Sequence, residues 1–460
     1  MIRSVLKQVS EPIITSSLFL CIVTCILGFA MWFRKRKSKL NAFMSSLPGP
    51  KALPLIGHSH LVFRSSVRKI YNAYIRVMNN SSKHKIFRLN FPADDLACVV
   101  DPDLMQTILK SPKFTDKYKA VYDLLNVPEI LFTANGKLWL EKRRAVIPGF
   151  HPKIMASLDT FYEKRVDQFL ARMRHFADSK ETFDLSKEMV WLSVDLLGDT
   201  FMGVSLDAQE KKDKNLASSL LKLPGLFIDR IILPHLRSDF LYSVLWRFRM
   251  HQEIKKSIYD ISKKAVTKRI QHRKKLKQNG TSEGILETDA LLQGGKKIYL
   301  DILLDKLETE DEESVESVVH EVIEIFEAGT VTVSTIVCWI FLLSGVFPEV
   351  GDKLHAEIDE FFESEQSMNI ANCDKLEYVE MVIKEALRHF TVPFVVRQPK
   401  EDVFIKDFGT IPADTSVALL FHVLHHHPDY WERPLEFYPE HFLPVNVAKR
   451  PKGTFVPFSG

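Results

Sequence analysis

Ala328-Gly329-Thr330-Val331-Thr332 sets small and hydroxylated residues inside an otherwise apolar run. A glycine in mid-helix is costly unless something must approach the backbone closely. A threonine there can turn its hydroxyl onto a preceding carbonyl, bend the helix and open a polar notch in an apolar pocket. Close packing of helices through small residues accounts for the same letters. Glu385 and Arg388 stand three apart, on one face of a helix. Alone, such a pair is usually a solvated surface contact worth little. Its surroundings are unusual: Pro393-Phe394-Val395-Val396-Arg397 follows, then Trp431-Glu432-Arg433-Pro434, Phe437-Tyr438-Pro439-Glu440-His441-Phe442 and Phe455-Val456-Pro457-Phe458-Ser459-Gly460.

Other reactive residue types point nowhere by spacing alone. His422, His425, His426 and His427 suggest zinc, yet no second ligand cluster converges on them in sequence. The five cysteines (Cys21, Cys25, Cys98, Cys338 and Cys373) include no C-x-x-C pair and none in a loop suited to hold a thiolate. That pattern suits a reducing compartment and buried structural roles. Net charge is +4, and without Arg34, Lys35, Arg36, Lys37 and Lys39 the balance is −1. The basic character is local, so it is no footprint for nucleic acid.

The elements that must position these residues read as mainly helical. Residues 85–100 read as short strands broken by Pro92-Ala93-Asp94-Asp95, and Pro102–Lys110 as a helix. Most of 154–273 has helical period, and 277–297 reads as a polar surface loop. The next helix is expected to begin in the acidic stretch 308–313, which suits the positive end of a helix dipole. Val315, Val318, Val319, Val322 and Phe326 then form one apolar stripe. Residues 328–347 carry no charge and are long enough to span a bilayer. Their Gly, Thr and Ser content favours a helix buried at the centre of a large domain over a second span.

Near the N-terminus, residues 13–33 are uncharged and apolar over the length a transmembrane helix needs. The basic run after them predicts a lumenal N-terminus over 1–12 and a cytosolic chain beyond. The apolar length and the lack of an A-x-A exit favour an anchor over a cleaved signal peptide. Pro48, Gly49, Pro50, Pro54 and Gly57 read as a stiff hinge closing the juxtamembrane segment 34–57.

Taken in order, these motifs resemble a cytochrome P-450, a haem-thiolate monooxygenase, and most of all its family-4 branch. The resemblance takes in Trp139 four residues before Arg143, then Phe150-His151, Ala328-Gly329…Thr332, Glu385…Arg388, Pro393…Arg397 and Pro439…Phe442. It implies a mainly α fold with a small β subdomain, an incomplete catalytic domain over 58–460 and one N-terminal transmembrane helix in the endoplasmic reticulum. It implies haem b as cofactor, with Trp139, Arg143 and Arg397 donating to the propionates and Ala328, Gly329 and Phe458 against the ring. Guanidinium groups suit carboxylates because they pair bidentately and stay charged. Thr332 would hydrogen-bond the bound oxygen or its water and help deliver protons. Glu385 and Arg388 would form a buried structural pair, and residues near 124–132 and along 328–335 would line the pocket. The axial cysteine is expected roughly five residues beyond Gly460. The resemblance also implies O₂, a lipophilic substrate (fatty acid, lipid hormone or xenobiotic), and electrons from an NADPH-cytochrome reductase, with cytochrome b5 as a further donor.

The chain departs from that pattern at several points. Val331 stands where an acid usually precedes the threonine, and Val333 replaces the hydroxyl after it. Ala328 occupies the position where family-4 members often carry a glutamate able to bond to haem. Glu327 is one residue away, about 100° round the helix, so no crosslink is expected. His441 replaces the arginine that usually joins Glu385 and Arg388, and the proline expected before Thr391 is absent. A truncated, haem-free, non-catalytic membrane protein and a two-span membrane protein remain the competing readings.

Overall fold

Two apolar runs pair antiparallel as β1 (Ile86–Asn90) and β2 (Asp95–Val99). The chain returns to them much later with β3 (Val395–Arg397), the small hairpin β4 (Val403–Ile405) and β5 (Gly409–Ile411), and β6 (Ser416–Leu419). β6 slots beside β2 in parallel and carries β3 antiparallel on its other edge, giving the order β1-β2-β6-β3. β6 is buried along its whole length. The computed structural model describes residues 38–459 apart from 54–55, 60–74, 76–83, 92–94, 152–153, 155–157, 234–235, 280–297, 308, 310 and 366–367. The anchor expected over 13–33, the segment 1–12 and the basic residues 34–37 lie outside the described residues, as does most of the polar loop expected over 277–297.

The longer helices are α1 (Pro102–Lys110), α2 (Gly136–Val146), α3 (Asp159–Ser179), α4 (Leu185–Leu197), α5 (Lys214–Ile232), α6 (Trp246–Asn279), α7 (Glu312–Val346), α8 (Pro348–Ser364) and α9 (Glu377–His389). The mainly α architecture with a small sheet is as expected. α1 has the predicted bounds because Asp101 accepts the Leu104 N–H at 2.9 Å and Pro102 supplies a first helical residue that needs no N–H partner. α6 runs to Asn279, into the stretch read as loop. α7 begins at Glu312, within the acidic stretch expected to start it, since Asp311 takes the Ser314 N–H at 2.8 Å and fixes the cap there.

α7 holds the main core together. Val318, Val319, Val322 and Phe326 are each buried and join Val190, Trp191 and Val194 of α4 with Ile254 and Ile258 of α6. Burying a side chain of that size is worth roughly 1.5–3 kcal/mol against leaving it wet. Beyond Ala328 the expectation of a fully buried helix fails. Val333, Phe341, Leu342 and Val346, on more than one face, are all more than half exposed, although Ile336, Ile340 and Leu343 pack against Val350 and Val382. α7 is also the single helix among the described residues long and apolar enough to cross a bilayer. Ala328, Thr332, Thr335, Leu342 and Val346 share its open flank at helical spacing.

Candidate functional site

Residues 116–118 add a short strand to the free edge of β3. Gln398 N–H donates to Asp116 O at 2.9 Å, Tyr118 N–H donates to Val396 O at 3.4 Å, and Lys117 bridges antiparallel to Arg397. The same segment starts α2: Asn135 Oδ1 accepts the Lys117 N–H at 2.8 Å, and Gly136 N–H donates to Asp116 Oδ1 at 3.0 Å. Gly136 sits at φ +54°, a left-handed geometry that suits a residue without Cβ. α2 then presents Trp139 and Arg143 one turn apart. The Arg143 guanidinium lies 5.1 Å from the indole centroid and Lys117 Nζ 5.6 Å from it. Three cations thus gather around one indole and one sheet edge.

Among the described ion pairs none takes up Arg143 or Arg397, and Arg397 Nη1 donates to the neighbouring Val396 O at 3.3 Å. Lys117 is buried, and its Nζ donates to Leu131 O at 3.2 Å and Ala134 O at 2.5 Å. Burial and then the Arg397 charge push Lys117 down to about 8, against Glu324 and Asp116. Sequence reasoning brought Trp139, Arg143 and Arg397 to this site and missed Lys117. Nothing in Phe114-Thr115-Asp116-Lys117-Tyr118 announces a partner strand so far along the chain.

The open flank of α7 is the second wall. Thr332 is exposed and its Oγ1 donates to Ala328 O at 2.5 Å, so its oxygen lone pairs remain to accept from a water. Thr330, Ser334 and Thr335 back-bond in the same way, and Ser334 Oγ also meets Ser193 Oγ at 2.9 Å. Gly329 points elsewhere. A Cβ there would lie 3.0 Å from both Leu197 methyls, so this glycine lets α4 approach and does not face Thr332's flank. The packing explanation therefore accounts for Gly329, and the notch explanation for Thr332.

Two half-buried acids flank this wall. Burial and Glu321 push the Glu324 carboxyl up to about 7, against hydrogen bonds from the Phe132 and Leu131 N–H groups and the Lys117 charge. Burial lifts Glu327 to about 7 as well, against the Lys255 charge. Glu324 was legible as the residue one turn before Ala328. Over the wall, three successive carbonyls are held by cations from two helices. Arg230 of α5 donates to Leu124 O, and Lys255 of α6 donates to Leu125 O at 2.7 Å and Asn126 O at 2.8 Å.

Trp339 of α7 stacks on Phe390, just past α9, at 4.2 Å between centroids, the hinge of these two helices. Behind that hinge Glu385 and Arg388 are fully buried. Arg388 Nε and Nη2 donate to the two carboxylate oxygens at 2.9 and 2.7 Å, and the remaining donors reach His425 O, Pro434 O and Glu436 O. Tyr438 N–H donates to Oε1 at 2.9 Å, and His441 Nδ1 lies 3.3 Å from each oxygen, in the place read for a missing arginine. Burial pushes Glu385 up, but its bonds from Arg388, His389 and His441 hold it well below the usual carboxylate range. The pair is thus the buried one, not a surface contact.

The histidine run serves the same core. His425 Nε2 accepts the Val456 N–H at 2.9 Å, and His426 Nε2 lies 3.1 Å from His389 Nδ1. Among the described residues no group of three His, Cys, Asp or Glu side chains could hold a metal. Phe458 is 78% exposed, next to Pro457, whose carbonyl accepts from Thr391 Oγ1 at 3.4 Å. Cys98 is buried in β2, Cys338 bonds towards Ser186 of α4, and Cys373 lies exposed in a turn, so none of these thiols reaches the cation site.

Comparison with known proteins now decides the family. The profile of the cytochrome P-450 family matches residues 47–460. This chain is a cytochrome P-450. Cytochrome P-450 4c3 of Drosophila melanogaster is 28% identical over 444 residues, 94% of this chain and 82% of that protein. Cytochrome P-450 4c21 of Blattella germanica is 26% identical over 449 residues, covering 96% and 87%, and human cytochrome P-450 4V2 is 25% identical over 415, covering 89% and 78%. The P-450 reading as a family-4-like haem-thiolate monooxygenase, with a redox partner and a small-molecule substrate oxidised by O₂, follows from that membership.

Proposed function

We propose that the cation cluster around Trp139 holds the propionates of haem b, and that the open flank of α7 faces the substrate. The observation that carries this is the meeting of Lys117, Arg143 and Arg397 at one sheet edge. Three donors, with no carboxylate among the described residues claiming the two arginines, suit a dianionic group. Trp139 offers a fourth donor and an apolar face. Bound there, a haem would supply the activation of oxygen.

The chain's own residues supply position and protons. Thr332 keeps its hydroxyl on Ala328 O and offers lone pairs to a water on the open flank, which must be handed a proton from elsewhere because residue 331 is Val. Ala328 and Thr335 border the same space, and the carbonyl-held segment 124–126 roofs it. Leu342 and Val346, apolar and exposed on that flank, favour a lipophilic substrate, in the class of fatty acids, lipid hormones or xenobiotics. An NADPH-cytochrome reductase, with or without cytochrome b5, supplies electrons at an endoplasmic reticulum membrane in this reading. Residues 13–33 supply the anchor, 34–57 the hinge and 58–460 the catalytic domain.

The test is the ferrous carbonyl spectrum of the purified full-length protein. A red-shifted Soret band is expected, as thiolate ligation gives. A protein that takes up no haem when supplied with it would instead be the non-catalytic membrane protein.

A further inference from the structure

We propose that Ser334, together with Ser193 of α4, is a positioning residue for Thr332, fixing the rotation and register of α7. The inference rests on the reading of Thr332 given above. α4 and α7 pack antiparallel along one seam. Gly329 admits Leu197, Ser334 meets Ser193, and Val337 and Cys338 pack against Met189 and Leu192. The seam is apolar on both sides of the serines, where Val322 and Phe326 join Val190 and Val194 at one end. Inside it Thr330, Ser334 and Ser193 are all buried.

Thr330 Oγ1 spends its proton within its own helix, on Phe326 O at 2.6 Å. Ser334 reaches across. Its Oγ lies 2.6 Å from Thr330 O, 3.1 Å from Met189 O and 2.9 Å from Ser193 Oγ. A hydroxyl carries one proton. Two carbonyls share that of Ser334, so Ser193 donates the third bond. Ser334 thus fastens α7 to a side chain and to the main chain of α4.

An apolar seam can slide, because one aliphatic contact replaces another. A buried polar pair cannot, since its members lose their partners where no water replaces them. Turning α7 by one residue, about 100°, or sliding it one turn, about 5.4 Å, parts the two serines. Thr332 lies two residues from both Thr330 and Ser334, about 200° round the helix and on its far side. Whatever holds the near face to α4 therefore sets where the Thr332 hydroxyl stands on the open flank.

The experiment reads the C–O stretching band of the ferrous carbon monoxide adduct of the haem-loaded full-length protein. That band responds to a hydroxyl beside the ligand and needs no turnover. Ser334→Ala is expected to add a second band, about fivefold more populated than in the wild type. Ser193→Ala leaves the Met189 contact in place, so a smaller share of the same band is expected. Peroxide released per NADPH consumed, with an NADPH-cytochrome reductase, is expected to rise in the same order. A general loss of stability would not split the band. Thr332→Ala serves as the control. If it shifts the band and Ser334→Ala does not, the role of Ser334 is overturned while the reading of Thr332 stands. If Thr332→Ala leaves the band unmoved, that reading falls and the proposal falls with it. Should Ser334→Ala not accumulate folded, Ser193→Ala carries the test, and a wild-type band in that variant overturns the proposal.

Discussion

Lys117 and Arg397 lie directly opposite each other across an antiparallel bridge, and so place two cations at one sheet edge beside Trp139. Charged hydrogen bonds are worth about 1.5–3 kcal/mol each. Arg397→Ala and Lys117→Met are each expected to weaken haem binding by roughly ten- to a hundredfold in a haem titration. A change confined to Lys142, which is already paired with Glu321, is expected to leave it alone.

Gly329 and Leu197 make a steric prediction. The missing Cβ would lie 3.0 Å from both methyls of Leu197, so Gly329→Val must push α4 away from α7. Overpacking of that kind costs about 1–3 kcal/mol. The loss should appear in urea unfolding and shrink when Leu197→Ala is added. An additive double variant would show that the two side chains do not meet.

Acid should loosen the core behind the hinge. Burial lowers His422 to about 4, His425 to about 3 and His426 to about 2. Their folded values lie below the unfolded one, so the stability they contribute is complete above about pH 6.5 and is lost as pH falls towards those values. Each contributes up to about 1.4 kcal/mol per pH unit in that window. His426→Gln is expected to flatten the acid limb of stability measured by urea unfolding. Protonating His425 also removes the acceptor for Val456 N–H, so the 455–459 segment should gain amide exchange first.

Glu327 should act with the opposite sign. Its folded value near 7 lies above the ordinary carboxylate value, so its stabilising share is present below about pH 4.5 and lost as pH rises through 7. Glu327→Gln is expected to raise the unfolding temperature at pH 8 and leave it nearly unchanged at pH 4.5. Equal shifts at both pH values would mean that its ionisation is not linked to folding.

Val331 predicts imperfect oxygen use. Restoring an acid with Val331→Asp is expected to raise the ratio of product formed to O₂ consumed and to lower peroxide release. No gain would place the proton route elsewhere on the open flank.

Local pattern made much of this legible. The capped helix Pro102–Lys110, the stripe from Val315 to Phe326 and the one-turn spacing of Trp139 and Arg143 are all short-range signals, and each survives in the fold. Lys117 was illegible because its meaning lies in a bridge to a strand near the other end of the chain. The buried state of Glu385 and Arg388 was read from family likeness, since spacing alone leaves such a pair on the surface. Gly329 and Thr332 sit three apart yet face different neighbours, a distinction that only the placement of α4 supplies.

The roof at Leu124, Leu125 and Asn126 is fastened through its peptide oxygens. Every amino acid brings the same oxygen. In the substrate space proposed above, mutation can therefore rewrite the three side chains overhead, and with them the molecules that are welcome, while Arg230 and Lys255 go on holding the same atoms. Taste and tethering are inherited separately here.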